Sequence, residues 1–228
     1  MLKKEKIKEL EEKIGYEFKK KELIWQALTH SSFSNEQKIN KYKNYERLEF
    51  LGDAVLELLS SQFFFETYPD MPEGEMTKLR SSMVCELALA YCARDISLGD
   101  YLLLGKGEEI TGGRTRDSII SDVMEAVIGA LYLDGGLSEA DAFVKKYILS
   151  DLESKQLFYD SKTILQEEVQ RDGQSLTYEL VSETGPDHDK VFMVEARIDG
   201  QTVGKGQGRN KKSAQQQAAY QALLARKK

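Results

Sequence analysis

Apolar residues recur with helical spacing over the first two thirds of the chain, most clearly from 45 to 59, in YERLEFLGDAVLELL. At about 100° per residue the apolar side chains of this stretch gather on one side, which predicts a helix facing a core. That side carries Leu48, Leu51, Val55, Leu58 and Leu59. The opposite side carries Glu46, Glu49, Asp53 and Glu57. Stacked carboxylates repel unless a cation lies over them, so this side is either a solvated acidic face or half of a cation site.

Two other residues of this predicted helix indicate that something packs closely against it. Gly52 lies in mid-helix, at a cost of about 1 kcal/mol relative to alanine, and flanks the acidic side. We expect a backbone or a ligand to approach there. Phe50 lies beside the acids rather than in the apolar stripe, so packing of this helix on its own core does not account for a large aromatic there. We expect Phe50 to contact a partner surface.

A second predicted helix, from 117 to 133, carries the sequence DSIISDVMEAVIGALYL and a second pair of acids. Its apolar stripe consists of Val123, Met124, Val127 and Leu131. Asp122 and Glu125 project together at a spacing of three, with Gly129 on their side. Two helices that each offer carboxylates beside a glycine are suited to holding a hard cation. Ligation by oxygen alone favours Mg²⁺ or Mn²⁺ over zinc.

The order of predicted elements divides the chain into two domains of different class. Before residue 155 apolar and polar residues almost never alternate with the period of two that is typical of strands, so we expect an all-α first domain over 1–153. Its other predicted features are helices over 3–14, 20–30, 75–94 and 138–152, a polar loop over 31–44 and a glycine-rich loop over 99–113. The central helix should end near Tyr68, because Pro69 and Pro72 disfavour its continuation.

A short linker is predicted at 154–160, and the pattern beyond it predicts a small α+β domain over 161–228. The predicted elements are a helix over 161–171, strands over 176–183, 191–198 and 201–206, and a last helix over 211–225. Asp199-Gly200 between the second and third strands is a hairpin signal. Alanines on one side of the last helix favour close packing on a sheet. The expected order is α-β-β-β-α.

Composition restricts the chemistry that this chain can perform. Its 228 residues are 41% hydrophobic and 31% charged, which is typical of a globular protein. No apolar run approaches 18 residues and the N-terminus is charged, so we expect no membrane span or signal peptide and a cytoplasmic location. Cys85 and Cys92 have no ligand-spaced histidines near them and are expected to be buried thiols. Only His30 and His188 are present, so carboxylates must carry any chemistry.

The net charge of −6 is distributed unevenly along the chain. Residues 1–159 contain 21 basic and 28 acidic residues, whereas residues 160–228 contain 11 and 10. The last 29 residues contain seven basic residues and no acid. These are Lys205, Arg209, Lys211, Lys212, Arg226, Lys227 and Lys228. A phosphate backbone can therefore be bound near the C-terminus despite the overall negative charge.

Specific motifs of the first domain resemble those of the ribonuclease III family. They are ERLEFLGD at 46–53, DVMEA at 122–126, LTHSS at 28–32, PEGEM at 72–76, LRS at 79–81 and GGR at 112–114. The second domain resembles the double-stranded RNA-binding domain, including the Gly185-Pro186-Asp187-His188 turn and the stretch from Asn210 to Ala214. Together the two resemblances cover nearly the whole chain.

The resemblance implies an endoribonuclease that hydrolyses both strands of double-stranded RNA. It implies a homodimer that leaves 5′-phosphate and 3′-hydroxyl ends with short 3′ overhangs and that processes structured precursors such as ribosomal RNA. It also implies bound Mg²⁺, with Mn²⁺ as a substitute, which would activate water and neutralise charge on the phosphorus. No organic cofactor and no membrane partner are expected. A non-catalytic scaffold that binds duplex RNA and has kept the fold is the alternative.

The resemblance also assigns residues to roles. The metal ligands are Glu49, Asp53, Asp122 and Glu125, with Asp53 and Glu125 as the main catalytic residues and Glu46 and Glu73 as auxiliary acids. The RNA-binding set is Thr163, Gln166, Glu167, His188, Lys211, Lys212 and Gln215. Within that set Glu167 can accept from a 2′-hydroxyl, and the two lysines lie at a helix N-terminus suited to phosphate. His188 is either a minor-groove contact or an ordinary loop histidine. Phe50 would enter a pocket on the other subunit.

Overall fold

The computed structural model describes residues 4–38, 43–185, 190–208 and 210–226, and it divides the chain into two compact units. The first unit is Met1–Ser150 and the second is Asp151–Lys228. Within the described residues the first unit is built from helices and short turns, with one isolated bridge between Thr29 and Leu103. The second unit contains a three-stranded sheet flanked by helices. The fold class predicted from the sequence is therefore confirmed.

The first unit contains nine α-helices among its described residues. They are α1 Lys4–Ile14, α2 Lys21–Ala27, α3 Ser31–Glu36, α4 Glu46–Thr67, α5 Glu73–Met83, α6 Glu86–Asp95, α7 Lys106–Ile110, α8 Asp117–Gly135 and α9 Leu137–Tyr147. Short 3-10 turns at Leu98–Tyr101 and Gly113–Thr115 flank α7. The end of α4 at Thr67, just before Pro69, agrees with the predicted effect of the prolines.

Helix α8 lies at the centre of the first unit, and α4 packs directly on it. Residues from Ile119 to Leu131 are buried on nearly every side because they are almost all apolar or small. A Cβ atom built on Gly52 would lie 1.8 Å from the backbone oxygen of Glu125, and one built on Gly129 would lie 2.3 Å from that of Leu48. The backbones of α4 and α8 therefore touch at these two glycines. The predicted close approach at Gly52 is confirmed.

The buried side of α4 is rotated slightly from the predicted apolar stripe. Leu48, Val55 and Leu59 are buried as expected, but Leu58 is 55% exposed. Leu56 is buried in its place. The reason is that the contact with α8 is centred on Gly52, so residues one turn either side of that glycine face the core. Leu58 instead joins the exposed side of the helix.

The structure differs from the prediction in three segments of the first unit. Two predicted loops contain helices, and one predicted helix is two helices. The expected loop over 31–44 contains α3, because the His30 side chain caps that helix by accepting from the Ser32 N–H. The predicted helix over 75–94 is two helices, α5 and α6, separated by Val84 and an extended Cys85. The sequence does not reveal this break, because both helices bury apolar residues in the first unit and the apolar spacing continues across it. The glycine-rich loop contains α7.

The second unit begins with a helix where the sequence predicts a linker. Its helices are α10 Leu152–Tyr159, α11 Ser161–Arg171 and α12 Lys211–Arg226. The predicted linker at 154–160 therefore lies mostly within α10. The Phe158 ring packs edge-on against Tyr220 at 5.2 Å, and the Gln216 amide donates to the Phe158 carbonyl. These contacts of α10 with α12 explain why the segment is folded.

The sheet of the second unit is antiparallel in the order β1-β2-β3, with β1 Leu176–Thr184, β2 Val191–Ile198 and β3 Gln201–Gly208. Asp199 and Gly200 both have positive φ, which is the backbone of the predicted hairpin turn. Helix α12 packs on β3 so closely that a Cβ on Gly206 would lie 2.2 Å from the Ala214 backbone oxygen. Small residues on both elements permit this contact, as the alanine pattern predicts.

We expect Gly52→Ala to destabilise the first unit by about 3 kcal/mol, near the upper end of overpacking costs, because the new methyl group overlaps the α8 backbone. Urea unfolding followed by Trp25 fluorescence measures this unit alone, since Trp25 is the chain's single tryptophan. Gly74→Ala in α5 is the matched control, because a Cβ there meets nothing within 4 Å. Equal effects of the two substitutions would contradict the proposed backbone contact.

Candidate active site

Three carboxylates from two helices converge beside the glycine contact of α4 and α8. Glu49 of α4 and Asp122 and Glu125 of α8 each offer one oxygen, and these oxygens lie within 4.8 Å of one another. All three side chains are partly buried. Because Gly52 lets the two backbones touch, the first turn of α4 is held against the acidic side of α8. We call Glu49, Asp122 and Glu125 the carboxylate cluster.

Burial and mutual repulsion make the cluster bind protons more tightly than free carboxylates do. The pKa of Glu125 is raised to about 8, first by burial and then by the charges of Asp53, Glu49 and Asp122. The pKa of Glu49 is raised to about 7, again mainly by burial, with repulsion from Asp122, Glu46 and Asp53. Burial also raises the pKa of Asp122, although a hydrogen bond from Tyr45 opposes it. The cluster is therefore electrostatically unfavourable without a cation.

The other predicted acids lie at different distances from the cluster. Asp53 is exposed on α4, one turn after Glu49, and its charge acts on both Glu49 and Glu125. Glu46 is also exposed and acts on Glu49. Both therefore lie at the rim of the cluster rather than among its three converging oxygens. Glu73 lies on α5, where it accepts from Thr77 and lines a separate depression between α4 and α5.

Two residues near the cluster were not identified from the sequence. The Tyr45 hydroxyl lies 3.4 Å from Asp122 Oδ2, although the two residues are 77 positions apart. Glu86, at the start of α6, contributes to the raised pKa of Asp122. Neither contact could be predicted from periodicity, because each depends on how separate helices pack. The position of Tyr45 directly before the ERLEFLGD motif was the one available signal.

The predicted RNA-binding residues lie on α11 and at the start of α12. Thr163 and Glu167 are exposed on α11, and Gln166 is partly buried beside them. Lys211 and Lys212 are exposed in the first turn of α12. Gln215 accepts from the Lys162 ammonium at 2.7 Å, which links the two helices. His188 lies outside the described residues.

An exposed apolar surface runs along α4. Phe50 is 81% exposed, Leu58 is 55% exposed and Phe65 is 70% exposed. Leu58 and Phe65 also line the depression between α4 and α5, which has a volume of about 480 Å³ and includes Met76 and Arg80. The Arg80 guanidinium forms an ion pair with Glu57 at 3.1 Å. Glu57 therefore pairs with Arg80 and is not one of the three converging carboxylates. Phe50 is therefore not packed in the core of its own unit, as the sequence predicts.

Comparison with known proteins places both units in described families. Residues 20–152 match the family described as Ribonuclease-III-like, and residues 161–225 match the double-stranded RNA binding motif. The chain is 48% identical over 227 residues to Ribonuclease 3 of Bacillus velezensis, covering 98% of this chain and 91% of that protein. It is 50% identical to Ribonuclease 3 of Shouchella clausii, covering 92% and 82%.

A solved structure supports the same relationship for the first unit. The nuclease domain of ribonuclease III from Campylobacter jejuni superimposes with a TM-score of 0.58 and 42% sequence identity. The alignment covers 62% of this chain and 95% of the Campylobacter chain.

The fold and the site define the class of protein: a helical nuclease domain followed by a double-stranded RNA-binding domain. The chain belongs to the ribonuclease III family. It is therefore an endoribonuclease that acts on double-stranded RNA, rather than the non-catalytic scaffold considered as the alternative. Among the described residues no helix is long and apolar enough to span a membrane.

We expect the metal-free protein to lose stability as pH rises from about 5 to 8. The pKa values of Glu125, about 8, and Glu49, about 7, exceed their ordinary value of 4.5. Over that range the folded state holds protons that the unfolded state releases, so rising pH favours unfolding. Glu125→Gln should show a shallower pH dependence and greater stability near pH 8.

Urea unfolding in a chelator, followed by Trp25 fluorescence at several pH values, measures this dependence. The same slope in wild type and in Glu125→Gln would show that Glu125 is not held in an unfavourable environment.

Proposed function

We propose that this protein cuts double-stranded RNA with the help of a divalent metal ion, Mg²⁺ or in its place Mn²⁺, held by the carboxylate cluster. The observation that carries this proposal is the convergence of three carboxylate oxygens within 4.8 Å in a partly buried site. Hard oxygen ligands with a combined negative charge suit these cations. The raised pKa values of Glu49 and Glu125 show how unfavourable the cluster is without such a charge.

A divalent ion bound there would supply Lewis-acid stabilisation of the charge that develops on the phosphate during hydrolysis. The protein residues divide the remaining work. Glu49, Asp122 and Glu125 would hold the ion, and they would have to lose their protons to do so. Asp53 is exposed at the rim, where it can orient water or receive a proton. We therefore assign the largest catalytic contributions to Asp53 and Glu125, with Glu46 and Glu73 as auxiliary acids.

The second unit supplies recognition of the duplex in this proposal. Thr163, Gln166 and Glu167 present polar groups on α11, and a carboxylate there can accept from the 2′-hydroxyl that DNA lacks. Lys211 and Lys212 place two exposed charges in the first turn of α12, and a helix N-terminus favours a phosphate. Gln215 and His188 complete the proposed set. Affinity and cleavage are thereby assigned to different units.

We also infer that two copies of the chain associate through the exposed apolar side of α4. Phe50 projects into solvent, and the depression lined by Leu58 and Phe65 offers an apolar surface for a second copy. The related Campylobacter structure is described in terms of a region involved in dimer formation. In a two-fold dimer each site can cut one strand.

The expected products carry 5′-phosphate and 3′-hydroxyl ends with short 3′ overhangs, and the expected substrates are structured precursors such as ribosomal RNA.

Glu125→Gln tests the metal site directly. It removes one ligand charge while keeping the shape of the side chain, so duplex-RNA binding should persist while cleavage in Mg²⁺ falls by at least about a hundredfold. Replacing Mg²⁺ with Ca²⁺ should likewise give bound, uncut RNA in the wild type, because Ca²⁺ coordinates more loosely. Gel-shift and single-turnover cleavage assays on one labelled duplex measure both properties.

Glu22→Gln is the matched control, because it neutralises an exposed carboxylate on α2. It should cut like the wild type. Cleavage by Glu125→Gln within a few-fold of wild type would refute the assignment. Mapping the 5′ ends lost when the protein is depleted from cells would test the proposed precursor substrates.

Phe50→Ala tests the proposed dimer. Burying a phenylalanine contributes about 1.5 to 3 kcal/mol, and a two-fold interface loses it twice, so dimerisation should weaken by about two to four orders of magnitude. Sedimentation velocity over a dilution series measures this change. Ile110→Ala is the matched control, because Ile110 is 84% exposed but lies on α7. A folded Phe50→Ala protein that remains dimeric at the lowest concentrations would contradict the interface role.

A further inference from the structure

Tyr45 stands at the junction between the start of α4 and the carboxylate cluster, and its backbone is fixed on both sides. Its N–H donates to the Thr29 carbonyl at 2.9 Å, which ties it to the chain between α2 and α3. Its own carbonyl accepts from the N–H groups of Leu48 at 2.8 Å and Glu49 at 2.9 Å. The residue therefore has a defined position relative to the first turn of α4, which carries Glu49.

The Tyr45 ring is also held in place. Only 5% of the residue is exposed, and its ring lies 5.6 Å from the His30 ring in a tilted arrangement. His30 is itself anchored, because its Nδ1 accepts from the Ser32 N–H at 3.1 Å. Ser32 Oγ in turn accepts from the Gly105 N–H at 2.9 Å. This chain of contacts leaves the phenol little freedom to move away from the cluster.

The hydroxyl of Tyr45 reaches the cluster through Asp122. It lies 3.4 Å from Asp122 Oδ2. A buried hydroxyl costs roughly 1 to 3 kcal/mol unless it is hydrogen-bonded, and Asp122 supplies the partner of this one. A tyrosine hydroxyl is protonated at neutral pH and a carboxylate only accepts, so the Tyr45 O–H donates a hydrogen bond to Asp122.

We propose that Tyr45 is a positioning residue of the metal centre, which holds the Asp122 carboxylate in the orientation needed for ligation. This inference rests on the metal site proposed above. Hydrogen bonds to metal-ligating carboxylates fix their orientation, and losing one typically costs 10- to 100-fold in metal affinity or activity. The bond at 3.4 Å is at the long end of the hydrogen-bond range. We therefore expect an effect near the lower limit, about tenfold.

The test compares metal binding by the full-length wild type, Tyr45→Phe and Glu125→Gln in the absence of RNA. Calorimetry or electron paramagnetic resonance with Mn²⁺ as the probe gives the dissociation constant without depending on activity. For Tyr45→Phe we expect the Mn²⁺ dissociation constant to rise about tenfold. Urea unfolding followed by Trp25 fluorescence should show that the variant remains folded, because the ring is retained.

Tyr101→Phe is the matched control for losing a tyrosine hydroxyl. Tyr101 is 2% exposed, and its hydroxyl donates to Glu9 at 2.9 Å, so the substitution removes the same kind of bond from the same unit. It should change stability and leave Mn²⁺ affinity unaltered. A purely structural role for Tyr45 would give the same result as Tyr101→Phe.

Three outcomes distinguish the proposals. A weakened Mn²⁺ affinity in Tyr45→Phe, with Tyr101→Phe like wild type, would support the positioning role. Wild-type affinity in Tyr45→Phe together with weak binding in Glu125→Gln would overturn the role of Tyr45 and leave the metal site intact. No specific Mn²⁺ binding by the wild type would overturn the metal site and the role of Tyr45 with it.

Discussion

The contact between the backbones of α4 and α8 is the constraint on which the catalytic unit depends. Gly52 and Gly129 permit it, because a Cβ atom at either position would overlap the backbone of the facing helix. The contact brings Glu49 of α4 close to Asp122 and Glu125 of α8, with the three carboxylate oxygens within 4.8 Å of one another. A mid-helix glycine costs about 1 kcal/mol of helix stability, and here that cost permits the geometry of the site.

This close packing also creates an electrostatic penalty. Burial of three carboxylates beside each other raises the pKa of Glu49 from 4.5 to about 7 and that of Glu125 from 4.5 to about 8. The surrounding core offsets the penalty, since α8 is buried on nearly every side from Ile119 to Leu131. A cation bound there would reverse the sign of the local interaction, because each carboxylate would then face a positive charge. The cluster therefore suits a cationic ligand better than it suits the stability of the empty fold.

The sequence predicted what depends on local spacing and did not predict what depends on contacts between distant segments. Periodicity was sufficient to identify α4, α8 and the strands, because each buries one side in a regular way. Helix α10 was missed because its packing partners lie on α12. Helix α3 was missed for a local reason, since its capping side chain is His30, which is not among the usual capping residues. The acids of the cluster were identified from their motifs, but their convergence and the contact of Tyr45 with Asp122 are properties of the packed helices. Leu58 was misplaced because the apolar stripe does not reveal where the neighbouring helix crosses.

The distribution of charge gives a physical reason for two units with separate tasks. Residues 1–159 carry 28 acids against 21 basic residues, and several of these acids lie at or beside the cluster, so this surface repels a phosphate backbone. Residues 200–228 carry seven basic residues and no acid. A single surface cannot both concentrate carboxylates for metal binding and attract RNA over its whole area. Basic charge concentrated in the C-terminal unit lets the nuclease unit carry its excess of acids. The acidic net charge of this chain therefore does not conflict with an RNA substrate.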